Sequence, residues 1–275
     1  MDAEKVTAPG LARRKSRGEV VTDKIVMVTA YDATFAALAD EAGVDVVLVG
    51  DSLGMVVQGV ANTLPVTLDE VVYHTRLAAR GATRALVVGD LPFGSYQVSP
   101  QQGVESSIRL IKEGGAAAVK LEGGVPMTDT IEAITRVDIP VMAHIGLTPQ
   151  SFHRMGGHRV QGRSSGSQAG GRDRLLADAK AVEAAGAFSV VLEGIPRELA
   201  AEITASISIP TIGIGAGPEC DGQVLVLHDV LGLTPNLYKF AKAYADLRSE
   251  VVGALGTYAR DVRDGTFPDD AHSFH

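Results

Sequence analysis

One cysteine, Cys220, is the only thiol in this chain. It excludes an internal disulfide, and with no cysteine cluster and no HExxH pair a zinc site has little to build on. Apolar runs are short: none approaches the roughly 18 residues of a membrane helix. The N-terminus lacks the apolar segment of a secretory signal. Basic charge is also in deficit, with 25 Lys and Arg against 33 Asp and Glu, a formal net charge of −8 and an isoelectric point near 5.4. That balance argues against a nucleic-acid surface. Together these absences predict a soluble, cytoplasmic protein that handles small molecules, with neither nucleic acid nor a membrane as partner.

What is present is a regular alternation of strand-like and helix-like segments. Strand candidates begin with Ile25-Val26-Met27-Val28-Thr29-Ala30 and continue at 44–51, 85–90, 117–122, 139–144, 188–193, 209–214 and 223–228. Continuous apolar, β-branched runs indicate strands covered on both faces, as in a parallel sheet. Helix-period segments lie between them at 33–42, 68–80, 104–113 and 174–185, closing on Gly43, Gly81, Gly114 and Gly186. Thr67 with Glu70 has capping-box spacing, and Thr128 with Glu132 resembles it. Eight strands in 275 residues predict an α/β chain folded as a (β/α)8 TIM barrel, which needs about 250 residues. A doubly wound open sheet is the structural alternative.

The expected organisation is a single barrel domain over 21–275, with extra C-terminal helices at 237–263. An N-terminal arm or tail covers 1–20 and carries Arg13-Arg14-Lys15-Ser16-Arg17. The stretch 151–172 has no clear period, and a loop of that length is usually functional or disordered. It reads as a mobile lid over the barrel mouth.

Four strand candidates end on carboxylates: Asp51, Asp90, Glu122 and Glu193. The C-terminal ends of barrel strands are where such folds carry their chemistry. Asp51, Asp90 and Glu122 are hard oxygen donors suited to Mg2+, though acids there also serve as helix caps. Lys120 stands inside an apolar run and must find a charge partner, either these acids, an anionic substrate or a structural salt bridge. Ser52 and His144 fall at the same strand ends; His144 can bind substrate or metal, or simply pack. Glu193 has apolar neighbours, which would favour its protonated form and suit a general base. The run Gly213-Ile214-Gly215-Ala216-Gly217 lacks GxGxxG spacing and is weak evidence for phosphate binding.

With these residues in view, the chain resembles the ketopantoate hydroxymethyltransferase family. The matching segments include Met27-Val28-Thr29-Ala30-Tyr31-Asp32, Leu48-Val49-Gly50-Asp51-Ser52-Leu53-Gly54 and Gly89-Asp90-Leu91-Pro92-Phe93-Gly94-Ser95-Tyr96. Further matches lie at 119–124, 144–150, 211–217 and 220–226. The resemblance implies a (β/α)8 barrel that binds one Mg2+ per subunit and uses 5,10-methylenetetrahydrofolate as co-substrate. Its product would be ketopantoate made from 3-methyl-2-oxobutanoate through a Mg2+-stabilised enolate, in pantothenate biosynthesis. It also implies that Asp51, Asp90 and Glu122 hold the metal. Asp51, Ser52, Asp90 and Lys120 would contact the oxo acid, with Glu193 as proton acceptor; His144, from its own place at a strand end, could add a hydrogen bond to the substrate. A homodecamer, a pentamer of dimers, is implied as well. The nearest enzyme alternative is a lyase or mutase of the phosphoenolpyruvate mutase and isocitrate lyase group. Many of its lyases carry a Lys-Lys-Cys-Gly-His type segment, and Cys220 sits in none. A non-catalytic barrel that senses a small acid is the alternative of another class.

Overall fold

The computed structural model describes residues 4–15, 23–164, 166 and 170–274. Residues 1–3 and 16–20 of the expected arm, including Ser16 and Arg17 of the basic run, lie outside the described residues, as do 165 and 167–169 of the expected lid. Within residues 1–226, one compact unit, the eight expected strands form: β1 (Ile25–Thr29), β2 (Val46–Val49), β3 (Leu86–Asp90), β4 (Ala118–Glu122), β5 (Val141–Gly146), β6 (Ser189–Glu193), β7 (Thr211–Ile214) and β8 (Gly222–Leu225). Each pairs in parallel with the next, and β8 pairs with β1, closing the barrel. The open-sheet alternative is therefore excluded.

Of the strands that start later than their apolar runs, two do so for a common reason. Pro140 and Pro210 lack an N–H for the ladder, so β5 begins at Val141 and β7 at Thr211. The two proline carbonyls still accept, from Val119 and Val190 N–H. The last strand ends early, because Leu227 and His228 belong to a short helix instead.

Helices α1 (Ala8–Ala12), α2 (Ala33–Glu41), α3 (Leu68–Gly81), α4 (Pro100–Lys112), α5 (Thr128–Thr135), α6 (Phe152–Met155), α7 (Arg172–Ala184) and α8 (Arg197–Ser206) complete this unit. Thr67 and Glu70 form the expected reciprocal capping box at the start of α3. The second pair does not cap: Thr128 is already the first residue of α5. Gly43 and Gly186 take the left-handed conformation after α2 and α7, but after α4 that role falls to Gly115, and Gly81 remains inside α3.

Side chains alternate across each strand, and the inward set forms one cluster that includes Ile25, Met27, Leu48, Val88, Met142, Val191, Ile212 and Val224. Ala8 and Leu11 of α1 belong to the same cluster. The chain around 4–15 is thus docked rather than a solvated tail, because Leu11 finds apolar cover beside the starts of the strands. Two cations of the basic run secure it: Lys15 Nζ meets Asp221 Oδ2 at 2.9 Å, and Arg14 meets Asp45 Oδ1 at 2.9 Å.

Within 151–172, the described residues are more ordered than an aperiodic sequence suggested. A 3-10 turn (Pro149–Ser151) leads into α6, which Gly156 ends in the left-handed conformation. Gln161 N–H then donates to the carbonyl of Gly194, just past β6.

Residues 227–275 form a second compact unit, with α9 (Leu227–Val230), α10 (Leu247–Arg263) and a 3-10 turn (Asp270–His272). The expected helix at 237 starts only at 247, where the Asp246 carboxylate accepts from Ser249 N–H and caps it. Among the described residues no helix is long and apolar enough to cross a membrane.

Candidate active site

The same alternation that fills the barrel with apolar side chains delivers charge at its C-terminal end. Two residues beyond Val88 on the inner face comes Asp90; beyond Ala118 come Lys120 and then Glu122; beyond Met142 comes His144; beyond Val191 comes Glu193. The ladder sets these groups side by side, pairing Asp90 with Lys120 and Glu122 with His144. Asp51 and Ser52 enter from the turn after β2. Gly50 makes room there: a Cβ on it would sit 3.2 Å from Ser52 Oγ and 3.3 Å from Asp90 Oδ2.

The predicted site residues lie at this end of the barrel, and five of them connect directly. Lys120 Nζ donates to Asp90 Oδ2 at 2.9 Å and lies 3.4 Å from His144 Nδ1. His144 Nδ1 is also 3.4 Å from Glu122 Oε1, and its Nε2 is 3.2 Å from Glu193 Oε2. Ser52 is held from the side, its Oγ 2.9 Å from the Tyr31 hydroxyl. Asp51, Asp90, Lys120, Glu122 and His144 are buried, whereas Glu193 keeps part of its carboxylate open.

Buried charges of one sign at close quarters resist ionisation. Burial, then the charges of Asp90 and Glu122, push the Asp51 carboxyl well above the usual range. Burial also raises Asp90, with Lys120 pulling the other way. Burial disfavours a charged Lys120, but Asp90, Glu122 and Asp51 outweigh it and keep the ammonium protonated. For His144, burial and Lys120 oppose protonation, yet Glu122 and Glu193 prevail and raise its pKa to about 9. At neutral pH both ring nitrogens then carry protons.

One residue that ties this arrangement together carries no signal of its own in the sequence. Gln150 is buried in the loop after β5; its backbone N–H donates to Glu122 Oε2, and its amide Nε2 donates to Asp51 Oδ2 and the Leu91 carbonyl, each at 3.0 Å. Its Oε1 accepts from the Tyr96 hydroxyl at 2.8 Å and from Gln97 at 3.1 Å. Tyr96 in turn accepts from Glu122 N–H at 3.1 Å. A glutamine in a polar loop gives no sequence signal of this kind, because its partners lie 28 to 99 residues away.

The donor set fits a divalent cation. Asp51, Asp90 and Glu122 supply hard oxygens, and each has one oxygen fixed by Lys120 or Gln150. Asp90 Oδ1 is buried without a hydrogen bond, a costly state that a cation would relieve. His144 Nε2 is also without one, being near Glu193 but off the hydrogen-bond line. Among the described residues no three His, Cys, Asp or Glu side chains already form a closed metal cluster. The glycine-rich loop after β7 makes a tight turn, with positive φ at Gly215 and Gly217.

Solved structures sharing this architecture include a phosphonopyruvate hydrolase (TM-score 0.59, 15% identity, covering 98% of this chain and 92% of that one). A 2,3-dimethylmalate lyase of the PEP mutase/isocitrate lyase superfamily is similar in the same way (TM-score 0.56, 19% identity, 91% and 87%). At such identity the likeness concerns the fold. Sequence relatives are far nearer. A 3-methyl-2-oxobutanoate hydroxymethyltransferase of Pelobacter propionicus is 55% identical over 273 residues, covering 99% of this chain and 98% of that protein. Its namesake in Geotalea daltonii is 56% identical over 266 residues, covering 96% and 97%. The family profile described as ketopantoate hydroxymethyltransferase matches residues 5–270. With this match and a barrel whose charged end gathers the expected acids and lysine, the chain belongs to the ketopantoate hydroxymethyltransferase family.

Proposed function

We propose that this enzyme transfers a hydroxymethyl group from 5,10-methylenetetrahydrofolate to 3-methyl-2-oxobutanoate, yielding ketopantoate and tetrahydrofolate for pantothenate synthesis. Family membership supports the reaction, and the observation that carries the residue roles is a buried Asp51–Asp90–Glu122 carboxylate set with Lys120, beside a separate, partly open Glu193. Asp51, Asp90 and Glu122 would hold Mg2+. When bound, that ion supplies positive charge to the oxygens of the oxo acid and so acidifies the hydrogen on its C3.

Lys120 offsets the negative charge of the oxo acid, and Ser52 and His144 fix its orientation by hydrogen bonds. Glu193, reaching in from β6, removes the C3 proton. The carbon nucleophile then bonds to the methylene carbon of the donor. Overall, that carbon exchanges its two bonds to nitrogen for one to C3 and one to a water oxygen. The C3 proton and one water proton balance the two nitrogens of tetrahydrofolate. A cytoplasmic homodecamer completes the proposal, and exposed apolar residues such as Leu255 and Tyr258 support association between copies.

Purified protein given Mg2+, the oxo acid and methylenetetrahydrofolate is expected to form ketopantoate, and EDTA to stop it. Glu193→Gln is expected to slow deuterium exchange at C3 by about 10²-fold or more, the scale of a lost general base. Exchange at the wild-type rate would assign the proton to another group.

A further inference from the structure

A cavity of 430 Å3 lies within the barrel unit, and Glu122 and Gln150 form part of its wall. It is therefore continuous with the acid cluster. Its volume falls in the range of about 300–1,000 Å3 typical of sites for drug-sized ligands, far beyond the needs of a five-carbon oxo acid. A carbon transfer requires the donor within bonding reach of the nucleophilic carbon, so the second reactant must share a wall with the first.

The lining has two characters. Phe93, Met127 and Met155 provide flat or pliable apolar surface, and the Phe93 side chain is 50% exposed, an aromatic ring without full cover. Aromatic rings and thioethers both pack well on planar ligands. The cavity also carries two guanidinium groups. Arg174 is committed, its Nε donating to Asp178 at 3.1 Å. Arg154 is exposed and, among the described residues, meets only the Ser151 hydroxyl, at 3.4 Å. An uncommitted arginine in a ligand cavity suits a carboxylate.

We propose that this cavity is the site of the one-carbon donor: a planar ring system lies against Phe93, Met127 and Met155, and a carboxylate tail pairs with Arg154. The inference rests on the reading that a folate carries the one-carbon unit. It adds where that molecule sits and which side chains select it. The oxo acid then occupies the inner position at Lys120 and the donor the outer one, their reacting carbons meeting near Glu122.

The test uses full-length enzyme with Mg2+ and compares Arg154→Ala and Phe93→Ala with wild type, folding being checked by circular dichroism and thermal melting. Each variant is expected to raise the KM for methylenetetrahydrofolate about tenfold or more, the loss of one charged hydrogen bond or one stacked ring. The KM for the oxo acid is expected to stay at the wild-type value. Phe93→Tyr, which keeps the ring, is expected to retain the donor KM. If the donor KM is unchanged in both alanine variants while wild type makes product, the cavity proposal fails and the reaction stands. If wild type makes no product from the folate donor, the reading of the reaction fails, and the proposal with it. A rise in the oxo-acid KM alone would assign the cavity to the acid and overturn the proposal.

Discussion

At the scale of single residues, the site depends on groups that are costly to leave unpaired. Gln150 is the clearest case, since its amide satisfies Asp51, the Leu91 carbonyl and Tyr96 at once in a buried place. Gln150→Ala strands these partners, each worth about 1–3 kcal/mol, and is expected to lower kcat/KM for the oxo acid by about 10- to 100-fold. Gln150→Glu, which cannot donate to Asp51 and adds a fourth negative charge, is expected to be worse still. Steady-state kinetics checks both, and wild-type kcat/KM in the alanine variant would remove Gln150 from the machinery. The acids themselves were legible in the sequence, because a charged residue closing an apolar run is conspicuous. Gln150 was not, because a polar residue in a polar loop is ordinary until its distant partners are known.

At the scale of elements, the crossing of α2 and α3 shows how packing overrides propensity. Gly81 reads as a helix terminator, yet it is the last residue of α3, and a Cβ there would lie 2.1 Å from the Ala33 carbonyl oxygen. Alanine is better than glycine in a helix by about 1 kcal/mol. The contact is with backbone, which cannot rotate away, and overpacking costs about 1–3 kcal/mol. Gly81→Ala is therefore expected to lower stability, seen as a lower urea midpoint; a higher midpoint would mean that the helices separate easily. The eight strands and the capping box at Thr67 were visible locally. Whether 4–15 would be a tail or a helix on the core was not, because one leucine among small residues beside a basic run sets no period until the cluster beneath it is assembled.

At the scale of the whole molecule, the C-terminal unit carries an unused apolar stripe. Val251, Leu255, Tyr258 and Val262 of α10 are 43%, 61%, 57% and 47% exposed, and their spacing places them along one side of the helix. If copies of the chain assemble through this stripe, Leu255→Glu with Tyr258→Glu is expected to reduce the mass seen by sedimentation velocity. An unchanged mass would exclude the stripe from the interface.

By itself the sequence determined the alternation of strand and helix, and with it the acids Asp51, Asp90, Glu122 and Glu193 at strand ends, because both are written in short-range periodicity. Only the tertiary structure decided closure of the sheet, the pairing of Lys120 with Asp90, the placing of His144 between Glu122 and Glu193, and the bridging role of Gln150. Those are contacts between residues far apart in the chain. They exist once parallel strands bring their ends together around one axis, and local pattern carries no record of which ends will meet.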